Sequence, residues 1–244
     1  MSFARKTASG LVEGETLGGR IVKGEAFTAI RPQQLARQCG QILTRIHALD
    51  LAGFPSLKRS TPQSLLARWF EAYRATAWQR PVFELAFRWL GQNCPPPPKQ
   101  PHLVHGDFRN GNLMIGQAGV CAVLDWELAH VGDPMEDLGW ICVNSWRFGR
   151  ADKIVGGFGD HDDLFAGYEA AGGATVDRAV AKWWEVFGSL KWGVMCSGHE
   201  QRFPLGRSVG RAGGDRSACL GDGDRPDAAV GGLRRCRTNP ILAR

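Results

Sequence analysis

The sequence predicts an α+β fold in which helices dominate and a few short strands form small hairpins. Six segments have a helical pattern of apolar residues: 32–49, 62–79, 81–92, 134–146, 162–171 and 177–197. Three short apolar runs, separated by polar or glycine-containing turns, have the pattern of small strands: 103–104, 113–115 and 121–124. The 244 residues are 43% apolar, with nine Trp and twelve Phe, so the chain can bury the core of one large domain or two smaller ones.

The positive charge is concentrated toward the C-terminal end of the sequence. Residues 206–244 contain eight Arg and four Asp, with no Lys or Glu, so they supply +4 of the net charge of +6. No aromatic residue interleaves these arginines for base stacking, and we therefore expect no nucleic-acid binding. The same segment has eight Gly and neither a helical nor an alternating period. We expect residues 204–244 to be an Arg/Gly-rich tail that is disordered or encoded out of frame.

The cysteine pattern and the hydropathy indicate the cellular compartment of the protein. Its seven cysteines are widely spread and include no C-x-x-C pair, which argues against a disulfide framework or a zinc site. No segment approaches the ~18 to 20 uninterrupted apolar residues of a membrane helix, and residues 1–20 lack the apolar stretch of a signal peptide. The expectation is a cytoplasmic protein with reduced thiols and no membrane partner.

Residues that can carry chemistry are concentrated between positions 102 and 140. They are His105-Gly-Asp107, Asn112, Asp125-Trp-Glu127, Gly132-Asp-Pro and Asp137. Transfer of the terminal phosphoryl group of ATP requires a carboxylate that orients a hydroxyl and accepts its proton, together with oxygen ligands for Mg²⁺. The loop from Asp107 to Asn112 can turn both side chains into one cleft, and a hairpin over 113–124 would return Asp125 to it. Singly, such residues are more commonly turn or capping residues; together they predict the phosphoryl-transfer half of a small-molecule kinase site.

The motif His-Gly-Asp107-x-x-x-x-Asn112 with Asp125-Trp-Glu resembles the aminoglycoside phosphotransferase and choline kinase-like superfamily. The fuller pattern, His-Gly-Asp-Phe-Arg-x-Gly-Asn-Leu with Gly-Asp-Pro, is most similar to the phosphotransferase domains associated with acyl-CoA dehydrogenases, over about residues 11–195. The resemblance implies a protein kinase-like fold whose helical C-terminal lobe spans residues 21–203. It also implies that Asp107 is the catalytic base and that Asn112 and Asp125 hold the cofactors, as ligands of the Mg²⁺ that accompanies ATP.

The same resemblance implies supporting roles around this loop. Asp137 would hold the backbone of the loop through its carboxylate, and His105 would pack and hydrogen-bond beneath it. Val12 and Glu13 fall at the hinge of such proteins, where backbone groups lie against the adenine ring. These two residues are therefore expected to bind the nucleotide.

Several further residues have alternative roles. Arg109 could meet phosphate or pair with a nearby acid, and Glu127 could support Mg²⁺ or substrate or remain solvated. The aromatic group of Trp183-Trp184 and Trp192 could line a substrate pocket, although aromatic residues at helical spacing are more commonly core. His47 belongs to no metal-ligand spacing, so a surface or packing role is expected.

The N-terminal end departs from the superfamily pattern. Members of the superfamily have an N-terminal lobe with a phosphate-covering loop and a lysine that binds the α- and β-phosphates, whereas ten residues precede Leu11 here. Gly14-x-x-x-Gly18-Gly19 lacks the spacing of a phosphate-binding loop. We therefore expect residues 1–20 to be a remnant of the lobe and hinge, with weak nucleotide binding as the result. Two functions stay open: an ATP-dependent phosphotransferase acting on a hydroxyl of a small molecule, and a truncated, inactive kinase-like remnant or binding protein.

Overall fold

The computed structural model describes residues 13–24, 31–54, 56–76 and 79–202, with side chains described as far as Ser197. Within these ranges there are seven α-helices: α1 (Gly18–Val22), α2 (Pro32–His47), α3 (Pro62–Arg74), α4 (Pro81–Gln92), α5 (Met135–Trp140), α6 (His161–Ala170) and α7 (Arg178–Arg202). Four short strands accompany them: β1 (His102–Val104), β2 (Leu113–Gly116), β3 (Gly119–Val123) and β4 (His130–Gly132). The helices predicted from the apolar period are confirmed at 32–47, 81–92, 161–170 and 178–202.

Helix α2 forms the centre of the helical layer and shows how sequence fixes its position. Pro32 occupies the first turn, where its missing N–H costs nothing, and the Gln34 side chain accepts a hydrogen bond from the Arg31 N–H at 3.1 Å. Apolar residues spaced three or four apart then lie on one buried face: Leu35, Ala36, Cys39, Ile42, Leu43 and Ile46. Burial of this face fixes which side of α2 meets the rest of the core.

Helices α2 and α6 approach each other closely because glycines lie at their contact. A Cβ atom on Gly40 would lie 2.1 Å from the carbonyl oxygen of Leu164, and a Cβ on Gly167 would lie 2.1 Å from the carbonyl oxygen of Arg37. The Thr44 hydroxyl donates a hydrogen bond to the Tyr168 carbonyl oxygen at 2.7 Å across the same contact. Backbone therefore packs on backbone here, with no room for a side chain.

Helix α7 supplies the large aromatic side chains of the core. Trp183 stacks on Phe187 with ring centroids 5.4 Å apart, and its indole N–H donates to the Leu90 carbonyl oxygen at 3.0 Å. Trp184 packs against α5, where a Cβ on Gly139 would lie 2.6 Å from the Trp184 Cβ. Both tryptophans are buried. Of the two sequence readings for Trp183-Trp184, the structure therefore supports the core role.

The strands form two separate antiparallel pairs. Strands β2 and β3 make the predicted hairpin, with Leu113 opposite Val123. Strand β1 pairs with β4, with Val104 opposite His130. This second pair brings residue 105, at the end of β1, close to the segment that leads into α5.

Four local features differ from the sequence expectation. Strand β4 is not predicted, because three residues are too few to show a period and its pairing with β1 is what makes it a strand. Gly18-Gly19, where the sequence predicts no helix, begins α1; a Cβ on Gly18 would lie 2.1 Å from the Phe148 ring, so packing against that ring favours glycine. The helix expected over 134–146 ends at Trp140 and resumes only as a 3₁₀ turn at Asn144–Arg147. The helix expected over 62–79 ends at Arg74.

Parts of the chain carrying sequence predictions lie outside the described residues. These are Val12, most of the expected lobe remnant at 1–20, and the tail at 204–244. Among the described helices, none combines the length and the apolar composition that a membrane-spanning helix requires.

Replacing Gly40 by alanine tests the close contact between α2 and α6. Because the new methyl group would overlap the Leu164 carbonyl, we expect Gly40→Ala to lower the free energy of unfolding by at least about 1–3 kcal/mol. Gly91 is the matched control: it is also helical, and nothing lies within 4 Å of its Cβ position. Gly91→Ala should raise the free energy of unfolding by up to about 1 kcal/mol, since alanine loses less backbone entropy. Urea denaturation measures both variants, and equal effects would contradict the packing described.

Candidate active site

The loop that follows β1 turns sharply at Gly106. This residue has φ of +79°, and a Cβ there would lie 2.5 Å from the Leu128 carbonyl oxygen, so both the backbone conformation and the space require glycine. The turn sends the chain from the buried strand into residues 107–112, the segment expected to carry the chemistry. Sequence and geometry thus agree on where the loop begins.

The carboxylate of Asp137, from α5, holds this turn. Its Oδ2 accepts a hydrogen bond from the His105 N–H at 2.8 Å, and its Oδ1 accepts one from the Gly106 N–H at 2.9 Å. Asp137 is fully buried. Burial alone would raise its pKa, but the hydrogen bond and charge of His47, with the contribution of His105, bring the pKa below its ordinary value. An ionised, buried carboxylate therefore ties α5 to the loop.

His47 is the side-chain partner of Asp137 and was not predicted as part of the site. Its Nε2 donates to Asp137 Oδ2 at 3.1 Å, and its Nδ1 faces the Tyr168 hydroxyl at 3.0 Å. The ring is buried, which agrees with the packing role expected for it. Its position four residues after Leu43, on the apolar face of α2, was the available signal that it points inward.

His105 lies beneath the loop and connects it to the β2–β3 hairpin. Its Nδ1 accepts a hydrogen bond from the Asp107 N–H at 3.2 Å, and its Nε2 donates to the Leu124 carbonyl oxygen at 3.1 Å. These roles require the neutral ring with its proton on Nε2. Burial lowers the pKa of His105, against the opposing charges of Asp137 and Asp107, and so favours that neutral form.

Three donors fix the carboxylate of Asp107. Trp140 donates its indole N–H to Oδ1 at 2.8 Å, and Asn112 donates its side-chain amide to Oδ2 at 2.6 Å. Arg109 Nε lies 3.2 Å from Oδ1. The Asp107 side chain keeps 14% of its surface exposed, so it is held in one orientation yet remains accessible. Trp140 lies on α5, three residues after Asp137, and was not predicted as a site residue.

Asn112 and Asp125 lie at the base of the β2–β3 hairpin. The Leu124 N–H donates to the Asn112 carbonyl oxygen at 2.8 Å, so the residue before Asp125 is paired directly with Asn112. The Asn112 amide nitrogen is engaged by the carbonyl oxygen and carboxylate of Asp107, which leaves its Oδ1 with no donor among the described residues. Asp125 is exposed and has φ of +65°. An amide oxygen and a carboxylate are the hard ligands that Mg²⁺ takes, so this donor set fits that ion.

The remaining predicted site residues lie around this centre. Arg109 pairs with the Asp107 carboxylate, which is one of the two roles that the sequence left open for it. Its guanidinium carbon also lies 4.4 Å from the centre of the Trp146 ring. Glu127 is exposed, and its carboxylate has no described hydrogen bond. Glu13 is exposed, and its carbonyl oxygen accepts a weak hydrogen bond from Cys121 Sγ at 3.5 Å. Among the described residues, no group of three or more His, Cys, Asp or Glu side chains could hold a metal ion.

A mainly helical lobe with a catalytic-type loop, a hairpin and a supporting aspartate defines the class of kinase-like phosphotransferases. The GDP complex of aminoglycoside 2'-phosphotransferase-IIIa matches with a TM-score of 0.59 and 15% identity, over 82% of this chain and 68% of that one. A choline/ethanolamine kinase family protein from Mesorhizobium loti matches with a TM-score of 0.56 and 16% identity, over 79% and 61%. An aminoglycoside phosphotransferase from Streptomyces rimosus, in complex with ADP and streptomycin, has a TM-score of 0.50 and 17% identity, over 74% and 68%. The predicted protein kinase-like fold is thereby confirmed.

The family follows from the sequence itself. The model of the phosphotransferase enzyme family matches residues 12–174, so this chain belongs to that family. It is 32% identical over 155 residues to acyl-CoA dehydrogenase family member 10 of Mus musculus, covering 59% of this chain and 14% of that protein. It is 34% identical over 134 residues to member 11 of Homo sapiens, covering 51% and 17%. The matched part of the chain therefore spans less than a fifth of the length of these two relatives. The resemblance to phosphotransferase domains associated with acyl-CoA dehydrogenases, which the sequence motifs indicated, is confirmed.

His105 and His130, the last residue of the loop's entry and the first residue of β4, should contribute to stability with opposite pH dependence. The lowered pKa of His105 means that the folded state resists protonation, so its contribution is lost as pH falls below the ordinary value of 6.5. For His130, burial lowers the pKa, but hydrogen bonding and charge from Glu136 outweigh this and leave the pKa raised. Its contribution is complete below the unfolded value and is lost as pH rises.

We therefore expect the stability difference between wild type and His105→Gln to shrink from pH 7.5 to 5. The difference between wild type and His130→Gln should grow over the same range. Urea denaturation at several pH values measures both slopes. Slopes of the same sign would contradict the assignment of charge states at these two positions.

Proposed function

We propose that this protein is an ATP-dependent phosphotransferase that transfers the γ-phosphoryl group to a hydroxyl of a small molecule. The observation that supports it best is the 2.6 Å hydrogen bond between the Asn112 amide and the Asp107 carboxylate. That contact puts a carboxylate able to accept a proton directly beside an oxygen ligand suited to Mg²⁺. Phosphoryl transfer depends on this adjacency, because its catalysis consists mainly of positioning and charge stabilisation.

Asp107 is the residue we assign to the hydroxyl proton. In the proposed step the acceptor oxygen forms a bond to the γ-phosphorus, the bond from that phosphorus to the bridging oxygen breaks, and ADP leaves. The hydroxyl proton passes to the Asp107 carboxylate. Donation from Trp140 to Oδ1 and from Asn112 to Oδ2 fixes the orientation of that carboxylate before the acceptor arrives.

Asn112 and Asp125 are the residues we assign to Mg²⁺ and the nucleotide. Bound there, the ion would neutralise charge on the phosphate oxygens, with its other ligands coming from phosphate and water. The GDP and ADP found in solved relatives of this fold support nucleotide use, and streptomycin in one of them supports a small-molecule acceptor with hydroxyl groups. The adenine contact at Val12 and Glu13 and a role for Glu127 near the metal belong to the same proposal.

His105 and Asp137 are assigned positioning roles. Asp137 accepts the two backbone N–H groups that precede Asp107, and His105 joins the same loop to Leu124, immediately before Asp125. Loss of either would displace Asp107 relative to Asp125.

We also propose the division of the chain into 1–20, 21–203 and 204–244, and a cytoplasmic location.

Two isosteric substitutions test this function. We expect Asp107→Asn to lower the turnover of Mg-ATP and acceptor by about 10²–10⁴-fold, since the amide cannot accept the proton. Asp125→Asn should abolish turnover through loss of the metal ligand and, because Asp125 is exposed, should unfold at the same urea concentration as wild type. Asp107→Asn loses one hydrogen-bond acceptor, so near-UV circular dichroism without urea checks that this variant is folded. The control is Asp162→Asn, whose side chain is 83% exposed and pairs with Arg178.

The assay follows ADP release and transfer of labelled phosphate to a panel of aminoglycosides, choline, sugars and hydroxy acids. Turnover that persists in both Asp107→Asn and Asp125→Asn would contradict the residue assignments. A wild-type protein that neither binds Mg-ATP nor transfers phosphate to any acceptor would contradict the function. That result would instead support the catalytically silent alternative.

A further inference from the structure

Beside Asp107 lies a wall of three tryptophans and one lysine: Trp140, Trp146, Lys191 and Trp192. The Trp140 and Trp146 ring centroids are 5.4 Å apart, and those of Trp146 and Trp192 are 4.8 Å apart. The Lys191 ammonium lies 4.2 Å from the centre of the Trp140 ring. Since Trp140 also donates to Asp107 Oδ1, this Trp/Lys wall begins at the proposed base.

The Trp/Lys wall contains donors without acceptors. The indole N–H groups of Trp146 and Trp192 are buried and have no hydrogen-bond partner within the described structure. Lys191 is only 8% exposed, and among the described residues no oxygen accepts a hydrogen bond from its ammonium. Buried donors are rarely left unpaired in native proteins, because each has given up its hydrogen bonds to water, so two unpaired indole N–H groups beside Lys191 indicate an acceptor that these residues do not themselves provide.

The carboxylates near Lys191 are already engaged by other groups. Glu136 accepts from His130 at 3.1 Å, and Asp107 accepts from Trp140, Asn112 and Arg109. Burial lowers the pKa of Lys191, while the negative charges of Glu136 and Asp107 oppose that change. The Lys191 ammonium therefore lies near negative charges, but no oxygen of the described residues accepts a hydrogen bond from it.

The two oxygens of Asp107 separate the Trp/Lys wall from the proposed metal ligand. Asn112 binds Oδ2, whereas Trp140 binds Oδ1. If the phosphates lie on the Asn112 side, the Trp/Lys wall lies on the side from which an acceptor hydroxyl must approach. A cationic, donor-only surface there favours an acceptor that carries oxygen acceptors and negative charge.

We propose that Lys191, with the indole N–H groups of Trp146 and Trp192, binds a carboxylate-type anionic group of the acceptor and so delivers its hydroxyl to Asp107. Lys191 is then a specificity residue for anionic hydroxy compounds and disfavours polycationic ones. This inference rests on the proposed phosphotransferase function. It adds the chemical class of the acceptor, which the catalytic motif itself does not encode.

The test compares glycerate with glycerol, because glycerate has a carboxylate where glycerol has a hydroxymethyl group. Binding of each to the full chain is measured by saturation-transfer NMR without nucleotide. We expect wild type to bind glycerate at least about tenfold more tightly than glycerol, in line with one charge-assisted hydrogen bond. Lys191→Met should lose that preference, and Lys191→Arg should keep part of it. Lys99→Met, which removes an exposed lysine, should leave the preference unchanged.

Three results would overturn the proposal: no preference for glycerate in wild type, an equal preference in Lys191→Met, or an effect of Lys191→Met on Mg-ATP binding alone. The last would assign Lys191 to the nucleotide phosphates. Near-UV circular dichroism checks that each variant is folded, and the wild-type comparison stands even if Lys191→Met is not. Because binding is measured without ATP, a failure of phosphoryl transfer would be recognised separately from a failure of anion recognition.

Discussion

The rest of the site depends on the buried carboxylate of Asp137. Each of its oxygens accepts a backbone N–H of the loop, from His105 and from Gly106, while His47 from α2 donates to the same group. Removing one partner of such a buried charge typically costs about 3–5 kcal/mol, because the remaining charge is left uncompensated. One side chain thereby joins two helices to the turn that sets the direction of Asp107.

From that turn, hydrogen bonds continue to Asp107 and to the β2–β3 hairpin. His105 accepts from the Asp107 N–H and donates to the Leu124 carbonyl, so the loop and the hairpin cannot move independently. Asn112 closes the arrangement from the other side, through its backbone to Leu124 and its side chain to Asp107. A rigid loop of this kind suits a reaction whose catalysis is mostly preorganisation.

How much could be predicted from the sequence depended on how local each feature is. The helices of the core follow from apolar periods within single segments, as in α2, and Asp107, Asn112 and Asp125 follow from a motif within about twenty residues. Trp140 and Lys191 come from α5 and α7, and their contacts exist only once those helices pack, so no spacing in the sequence indicates them. Strand β4 likewise owes its conformation to a distant partner. The family and fold could be recognised from the sequence, whereas the Trp/Lys wall required the structure.

The measurement that tests the central claim most directly is amide hydrogen exchange at His105 and Gly106. In wild type, both N–H groups donate to Asp137, so we expect protection comparable to that of the core amides in α6. In Asp137→Asn, the amide group cannot accept both bonds, and exchange at these two positions should become much faster while α6 stays protected. Unchanged protection at His105 and Gly106 in the variant would contradict the claim that this carboxylate holds the loop that follows β1.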